Sequence, residues 1–394
     1  MIPQILPTRY LMNSRADRLL AYGPDERSIL NQEANEAAYR EISSWNSYAV
    51  TPIVRLPGLA RGLGVGSVWL KDEGTRLGLG SFKALGGAYG VFRVVARELE
   101  RRGMGPVSSV DLLSGKHQAL VENTTVTCAS LGNHGLSVAW GAHLFGCRAV
   151  VFLPRGLAAD RVSAIRERRA EIVYVDGNYD DAVAEAEEES RARGWFVVSD
   201  MAYPGYEEIP RYVMQGYTVL MREALDQMPH PRPPTHVFVQ AGVGGLAASV
   251  TGFLWERCSQ ERPVVVVVEP AEADGLFETA LYDRISPSLG SLDTGMSCLA
   301  CRDPSTLAWR ILRAGADVFL TIPDHGAQET VTYLAQGTEG NPSVFTQPSG
   351  AAGLAGLITA AFEPTLSEPL NLGENSVVLV FGSEGPAMGS LPYP

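Results

Sequence analysis

Residues Thr235–Ala247 read THVFVQAGVGGLA, an apolar, β-rich run followed directly by a glycine loop. The run predicts a buried strand over His236–Gln240, and the glycines mark the turn into the next helical stretch. Such a loop presents backbone N–H groups at the positive end of a helix, where a phosphate group binds favourably. The stretch therefore predicts a strand–loop–helix unit of an α/β fold, with an anion site at the loop.

Outward from this unit, short apolar strands alternate with helical stretches. A strand-like run at Ser67–Glu73 precedes a segment with helical spacing at Phe82–Leu99. The other predicted strands are Thr124–Ala129, Ala149–Leu153, Ile172–Val175, Phe196–Val198, Val264–Val268 and Val377–Phe381. Parallel strands need crossover connections, so the alternation predicts mostly parallel sheets with helices on both faces. The polar segment Ser108–Asn123 is expected to be a loop.

Two domains are expected, each with a mostly parallel sheet flanked by helices. The chain has 394 residues, 45% of them hydrophobic, which is enough for two separate cores. We place a large domain at residues 1–84 and 196–394, and a small inserted domain at residues 85–195. An insertion of this kind leaves a cleft between the domains in which a cofactor can bind.

The charge and the apolar runs argue against several kinds of partner. The net charge of −12 repels nucleic acid and anionic lipid surfaces. The longest apolar run, Val264–Val268, is too short to cross a bilayer, and Met1–Gln4 shows no secretory signal. We expect a soluble, cytoplasmic protein that binds neither nucleic acid nor a membrane.

The five cysteines include one C-x-x-C pair, Cys298 and Cys301. Such a pair can bind a metal or act in redox chemistry, but no second Cys/His pair lies at zinc-like spacing. Reduced thiols without a metal site are therefore expected.

The first candidate for chemistry is Gly80–Lys83 (GSFK), at the turn from a strand into a helix. Burial and the positive helix end favour a neutral amine on Lys83, which is the form that makes a Schiff base. Gly86 and Gly87 lower helix propensity one turn later, as if a flat or bulky group needed that face bare. The alternative is an ordinary lysine on an amphipathic helix.

The second candidate is Ser130–Gly135 (SLGNHG), between a β-rich run and a helix. Its glycines indicate a tight turn whose exposed N–H groups suit a carboxylate. The alternative is a simple turn with a helix N-cap.

The loop at Gly242–Ala247 also matches the dinucleotide fingerprint, and Glu269 ends the next strand at a distance suited to a ribose hydroxyl. An NAD-dependent oxidoreductase is therefore a competing interpretation. It leaves Lys83 and the turn at Asn133 without a role. A phosphate on the glycine loop, an aldehyde on Lys83 and a phenolate oxygen at Asn133 would use all three motifs, which favours one phosphorylated cofactor.

These motifs, in this order, resemble those of the fold type II (tryptophan synthase β-like) enzymes that depend on pyridoxal 5′-phosphate (PLP). Further segments are similar to the diaminopropionate ammonia-lyases: Ser81–Tyr89, Gly205–Gly216, Thr235–Gly244, Val268–Pro270 and Ser349–Gly353. The resemblance implies two α/β domains with PLP in the cleft between them. It also implies a homodimer and elimination of ammonia from 2,3-diaminopropionate.

The resemblance implies roles for individual residues as well. Lys83 would carry PLP as a Schiff base, and Asp200 would act as a base at Cα or hold the β-amino group; alternatively, Asp200 is a capping residue in a loop. The other residues implied to bind the cofactor are Phe82, Asn133, Gly242, Val243, Gly244, Gly245, Leu246 and Ser383. The residues implied to surround the substrate are Ser130, Leu131, Gly132 and His134.

One position departs from the family pattern. Diaminopropionate ammonia-lyases generally have an aspartate, proposed to serve the D-isomer, where this chain has Leu131. An apolar side chain can neither accept a proton nor hold an ammonium group. Two interpretations follow: a lyase restricted to the L-isomer, or a lyase, dehydratase or β-replacement enzyme for another β-substituted amino acid such as serine or threonine.

Overall fold

The computed structural model describes residues 1–130, 132–156, 159–229, 233–338 and 340–386. Its strands are β1 (Arg9–Met12), β2 (Ile53–Arg55), β3 (Ser67–Asp72), β4 (Thr125–Ala129), β5 (Arg148–Pro154), β6 (Glu171–Val175), β7 (Phe196–Val197), β8 (His236–Gln240), β9 (Val264–Pro270), β10 (Val318–Ile322) and β11 (Val377–Gly382).

The α-helices are α1 (Pro24–Arg27), α2 (Gln32–Ser43), α3 (Pro57–Leu63), α4 (Lys83–Arg101), α5 (Ser109–Leu113), α6 (Gln118–Val121), α7 (Asn133–Phe145), α8 (Ala159–Glu167), α9 (Tyr179–Arg193), α10 (Glu208–Gln227), α11 (Gly245–Cys258), α12 (Gly275–Tyr282), α13 (Thr306–Gly315), α14 (Asp324–Gln336), α15 (Pro348–Phe362) and α16 (Pro364–Leu370). No helix in the described ranges is long and apolar enough to cross a membrane.

The chain divides into two compact units. The larger unit comprises Met1–Gln32, Val50–Thr75 and Leu220–Pro394, and the smaller unit comprises Glu33–Ala49 and Arg76–Val219.

The larger unit is built on a sheet with the order β1-β10-β9-β8-β11-β3-β2. The strands from β10 to β3 run parallel, and the outermost strands β1 and β2 pair antiparallel. The central strands β8 and β10 are buried at every residue, as expected for parallel strands covered on both faces. Helix α15 is buried along most of its length and packs into the same core.

The smaller unit contains a parallel sheet with the order β6-β5-β4-β7. Helices α7, α8 and α9 connect its successive strands, as parallel pairing requires. Val150 and Phe152 of β5 are buried in a core with Ala182 and Ala186 of α9. The mostly parallel α/β architecture predicted from the sequence is confirmed.

The boundaries of the units differ from the predicted ones. Residues 33–49, 76–84 and 196–219, predicted to lie in the large domain, belong to the smaller unit. Phe196 pairs with Val126 of β4, which ties β7 to the small sheet. Trp45 is buried, and its ring lies 5.8 Å from that of Trp140. Because these contacts join residues distant in the sequence, no local composition change marks the boundaries.

The prediction of a loop at Ser108–Asn123 is wrong, because α5 and α6 lie within it. Ser108 caps α5 by accepting a hydrogen bond from the backbone N–H of Asp111, and Asp111 accepts one from the backbone N–H of Ser108. These helices have five and four residues, too few for a helical hydrophobic pattern to emerge.

Candidate active site

In the smaller unit, Lys83 and Asp200 form an ion pair. Lys83 is the first residue of α4, and Asp200 follows β7. The Lys83 amine donates to the Asp200 carboxylate, and both side chains are largely buried. Burial raises the pKa of Asp200, but the neighbouring Lys83 and His134 outweigh it and hold that pKa well below its usual value. The predicted amine is thus paired with a carboxylate that stays ionised.

The first turn of α4 is held by α7. Ser137 donates a hydrogen bond to the carbonyl oxygen of Lys83 at 2.7 Å and accepts one from the backbone N–H of Ala88 at 3.1 Å. A Cβ on Gly87 would overlap Ser137, and one on Gly86 would overlap the Tyr217 ring. The expectation that these glycines leave a face bare is therefore wrong: they let α7 and α10 approach α4 closely.

The loop that carries Asp200 is fixed by Tyr206, from the segment Gly205–Gly216. The Tyr206 hydroxyl donates to the carbonyl oxygen of Val197 at 2.7 Å and accepts from the backbone N–H of Ser199 at 3.1 Å. These two bonds hold the backbone on both sides of Val198, two residues before Asp200, so they limit where the Asp200 carboxylate can lie. Sequence reasoning did not assign this role to Tyr206.

The turn at Ser130–Gly135 opens α7. The Ser130 hydroxyl oxygen accepts hydrogen bonds from the backbone N–H groups of Gly132 at 3.0 Å and Gly135 at 2.8 Å, so it satisfies donors at the start of the helix. Asn133 is the first residue of α7. Leu131 lies outside the described residues.

His134 is buried in the same turn. Its Nε2 lies 2.7 Å from the carbonyl oxygen of Val198, which can only accept, so Nε2 carries the proton. Its Nδ1 is buried and has no hydrogen-bond partner among the described residues. Burial lowers the pKa of His134, which favours the neutral ring. His134 therefore has an acceptor atom left for a ligand.

In the larger unit, the glycine loop leads from β8 into α11. Gly244 has a φ of +97°, a conformation that favours glycine, and it precedes the first turn of α11 without a side-chain cap. A Cβ on Gly242 would lie 3.0 Å from the Cys301 sulfur. The backbone conformation thus favours glycine at position 244, space is tight at position 242, and the first-turn N–H groups of α11 can bind an anion.

The same unit places Ser383 beside the end of β8. The Gln240 side-chain nitrogen donates to the Ser383 hydroxyl at 2.7 Å, and it also donates to the carbonyl oxygens of Gly350 and Phe381. Because Ser383 accepts this bond, its own proton remains for another acceptor. Gln240 was missed as a site residue; a polar residue that ends an apolar strand was the available signal.

Comparison with known proteins shows the family. The model of a family described as pyridoxal-phosphate dependent enzyme matches residues 45–382. The chain belongs to this family. The resemblance to fold type II PLP enzymes is thereby confirmed, and so is PLP as the cofactor.

Two curated relatives of this PLP enzyme are diaminopropionate ammonia-lyases. The protein from Escherichia coli strain K12 is 37% identical over 344 residues, 86% of this chain and 85% of the relative. The protein from Salmonella typhimurium is 35% identical over 386 residues, 96% of this chain and 95% of the relative. The predicted similarity to ammonia-lyases is confirmed.

Solved structures agree. The holo diaminopropionate ammonia-lyase from Escherichia coli superposes with a TM-score of 0.86 at 32% identity, covering 98% of this chain and 95% of that one. The same enzyme in complex with an aminoacrylate-PLP azomethine reaction intermediate gives a TM-score of 0.85 at 33% identity, covering 97% and 95%.

The residues of this PLP enzyme fit the cofactor. The glycine loop excludes side chains and exposes N–H groups, as a phosphate requires, while Lys83 supplies an amine for the aldehyde. Ser383 retains a proton that can meet a pyridine nitrogen. The three features thus suit three different groups of PLP: its phosphate, its aldehyde and its pyridine nitrogen.

The alternative interpretation as an NAD-dependent oxidoreductase is wrong, since the chain belongs to the PLP family. Glu269, which suggested a ribose contact, is fully buried. Its carboxylate accepts the backbone N–H groups of Leu276 and Phe277, each at 2.8 Å. Glu269 therefore caps the start of α12 rather than facing a nucleotide.

The cysteines are free thiols, and Cys298 donates to the Glu384 carboxylate at 3.3 Å. Within the described ranges no group of three or more His, Cys, Asp or Glu residues is arranged to hold a metal ion.

Proposed function

We propose that this chain is a diaminopropionate ammonia-lyase that converts L-2,3-diaminopropionate into pyruvate and ammonia. The contact between Lys83 and Asp200 carries the proposal, because it sets an amine and a carboxylate side by side. An α,β-elimination of an amine needs both, one group to remove the Cα proton and one to hold the positively charged β-substituent. The similarity to two diaminopropionate ammonia-lyases supports this substrate.

The bound cofactor supplies a conjugated ring that takes up the negative charge developing at Cα. Lys83 would hold it as a Schiff base, with the Phe82 ring beside the lysine amine. The groups proposed to bind the rest of the cofactor are Asn133 at the phenolic oxygen, Ser383 at the pyridine nitrogen, and the backbone of Gly242, Val243, Gly244, Gly245 and Leu246 at the phosphate. The neutral hydroxyl of Ser383 leaves the pyridine nitrogen largely unprotonated, which favours elimination over transamination.

Lys83 and Asp200 have different roles in the elimination. Lys83 would remove the Cα proton and become an ammonium group. Asp200 instead holds the β-ammonium group of the substrate, because a carboxylate beside the reacting amine attracts a positively charged group. The Cβ–N bond then breaks, ammonia leaves with the bonding electrons, and the released enamine hydrolyses to pyruvate and a second ammonia.

The turn that opens α7 would bind the substrate carboxylate. Gly132 and His134 are its candidate ligands, together with the Ser130 hydroxyl, and the unpaired Nδ1 of His134 faces no described partner. Leu131 offers neither charge nor proton in this turn. Of the two acids that the family pattern implies, this chain keeps Asp200 and has Leu131 in place of the other. The enzyme should therefore act on one enantiomer.

The substrate is tested with purified wild-type enzyme and Leu131→Asp. L- and D-diaminopropionate, L-serine and L-threonine are supplied singly, and release of pyruvate or 2-oxobutyrate is followed. Wild type should release pyruvate from L-diaminopropionate without a second nucleophile, and Leu131→Asp should gain activity on the D-isomer. Faster turnover of serine or threonine would favour a dehydratase, and a requirement for an added nucleophile would favour β-replacement.

We also infer a cytoplasmic homodimer. The family resemblance implies the dimer, and five free cysteines suit a reducing compartment. Light scattering during gel filtration should give twice the chain mass.

A further inference from the structure

Tyr217 of α10 is a buried polar residue that the mechanism above does not use. Its side chain is 1% exposed. Its hydroxyl has no well-aligned hydrogen bond with any residue in the part of the chain that the structure describes. A buried hydroxyl that has only a poorly aligned contact, here with the Lys83 amine, costs free energy, which points to a role other than stability.

The Tyr217 side chain lies against Lys83. The Lys83 amine is 5.9 Å from the centre of the Tyr217 ring, and the rings of Phe82 and Tyr217 are 4.7 Å apart. Burial raises the pKa of Tyr217, and the positive charge of Lys83 partly offsets this rise. The phenol is therefore neutral and close to the charged amine.

Two glycines make this position possible. A Cβ on Gly86 would lie 2.7 Å from Cζ of Tyr217, and a Cβ on Gly216 would lie 2.6 Å from the carbonyl oxygen of Leu85. Both glycines sit where α4 and α10 meet, and any larger residue would push Tyr217 away from Lys83. The close approach of these helices thus serves to bring the phenol to the amine.

We propose that Tyr217 is a positioning residue for Lys83, whose hydroxyl oxygen accepts a hydrogen bond from the ammonium group that Lys83 forms on taking a proton. Tyr217 directs one N–H bond of that ammonium group while Asp200 holds the substrate's β-ammonium group. This role of Tyr217 rests on the proposed function in one respect only: the proton that Lys83 takes comes from Cα of the substrate.

The test is Tyr217→Phe, which keeps the ring and removes the hydroxyl. Tyr212→Phe is the matched control, because Tyr212 lies on the same helix and its hydroxyl bonds Glu208 at 2.8 Å rather than Lys83. In the loaded enzyme, kcat of Tyr217→Phe should fall about 10-fold or more, with KM changed less than about twofold, since a hydrogen bond to a charged group is lost. The control should keep wild-type values.

A second readout needs no substrate. The full chain, freed of cofactor, is mixed with PLP, and the rate of Schiff-base formation is measured by absorbance against pH. Losing an acceptor destabilises the ammonium form, so the pH midpoint of the rate should fall by about one unit in Tyr217→Phe. The other titratable residues near Lys83 and Asp200 are His134, Cys128 and Tyr206, and the variant keeps all three.

Thermal unfolding completes the test. Tyr217→Phe keeps the buried ring and loses only the contact with Lys83, so the variant should be about as stable as wild type, whereas a merely structural role predicts a clear loss. An unchanged pH midpoint with unchanged kcat, or a rise in KM alone, would overturn the inference. If wild type forms the Schiff base but does not turn over diaminopropionate, the proposed function fails, while the pH midpoint still decides the role of Tyr217.

Discussion

The region around Lys83 and the region around the glycine loop offer binding groups of opposite kinds. In the smaller unit the groups are side chains: an ion pair, a neutral histidine with a bare nitrogen and a buried phenol. In the larger unit they are mainly backbone N–H groups, with Ser383 held by Gln240 as a neutral partner. Side-chain changes should therefore affect chemistry in the first region, and added Cβ atoms should affect cofactor affinity in the second.

Replacing Lys83 should have the largest effect. In Lys83→Ala no amine can attach PLP covalently, so the visible Schiff-base absorbance and turnover should both disappear. Borohydride reduction followed by mass spectrometry should place the cofactor on residue 83 in wild type and on no residue in the variant. Lys116→Ala, which removes an exposed lysine paired with Asp111, is the control and should behave as wild type. A cofactor adduct on another lysine in wild type would contradict the assignment.

Replacing Asp200 should separate chemistry from cofactor binding. Asp200→Asn removes the anion but keeps the shape, so kcat for L-diaminopropionate should fall by about 100-fold or more, as for loss of a proton-handling group. The PLP absorbance should remain, because the phosphate and the Schiff base are held elsewhere. Asp176→Asn makes the same change at an exposed aspartate paired with Arg155 in the same unit. Equal rates in both variants would remove Asp200 from the mechanism.

Adding a methyl group to the glycine loop should have the smallest effect. Unlike the Asp200 change, it should weaken PLP binding and leave kcat nearly unchanged. Gly244→Ala forces alanine into a left-handed conformation at a cost of about 1–2 kcal/mol, and its Cβ would lie 3.0 Å from that of Ala308. Fluorescence titration should show PLP binding weakened about 10-fold, the equivalent of that cost, with kcat near wild type at saturating PLP. The matched control is Gly373→Ala, where a Cβ meets nothing within 4 Å. A fall in kcat without weaker binding would show that the comparison of the two regions is wrong.

Sequence reasoning found the features that depend on neighbouring residues. The strand at His236–Gln240 was predicted with the bounds observed, because three consecutive apolar, β-favouring residues (Val237, Phe238 and Val239) before a glycine loop carry a local signal. The short helices α5 and α6 and the strand β10 were not predicted. The first two are too short to show periodicity. Strand β10 has an apolar, β-branched sequence (VFLTI) like the other strands, and this signal was overlooked.

The site follows the same division. The amine of Lys83 and the glycines at 242 and 244 could be recognised from the sequence, since their chemistry follows from residue type and local backbone conformation. Glu269 looked like a ligand-binding residue from its spacing, and only its hydrogen bonds to the start of α12 revealed a cap. Spacing along the chain does not determine which way a buried carboxylate points.

By itself, the sequence predicted the fold class and the cofactor correctly, and it is the basis for proposing Lys83 as the residue that carries the cofactor. Hydrophobic periodicity and short motifs are local properties, so they can be recognised without knowing how the chain packs. Only the tertiary structure decided that Asp200 pairs with Lys83, that Ser137 holds the first turn of α4, and that Tyr217 lies against the amine. These contacts join residues from 54 to 134 positions apart. Those of Ser137 and Tyr217 depend on glycines of α4 that let α7 and α10 approach within contact distance.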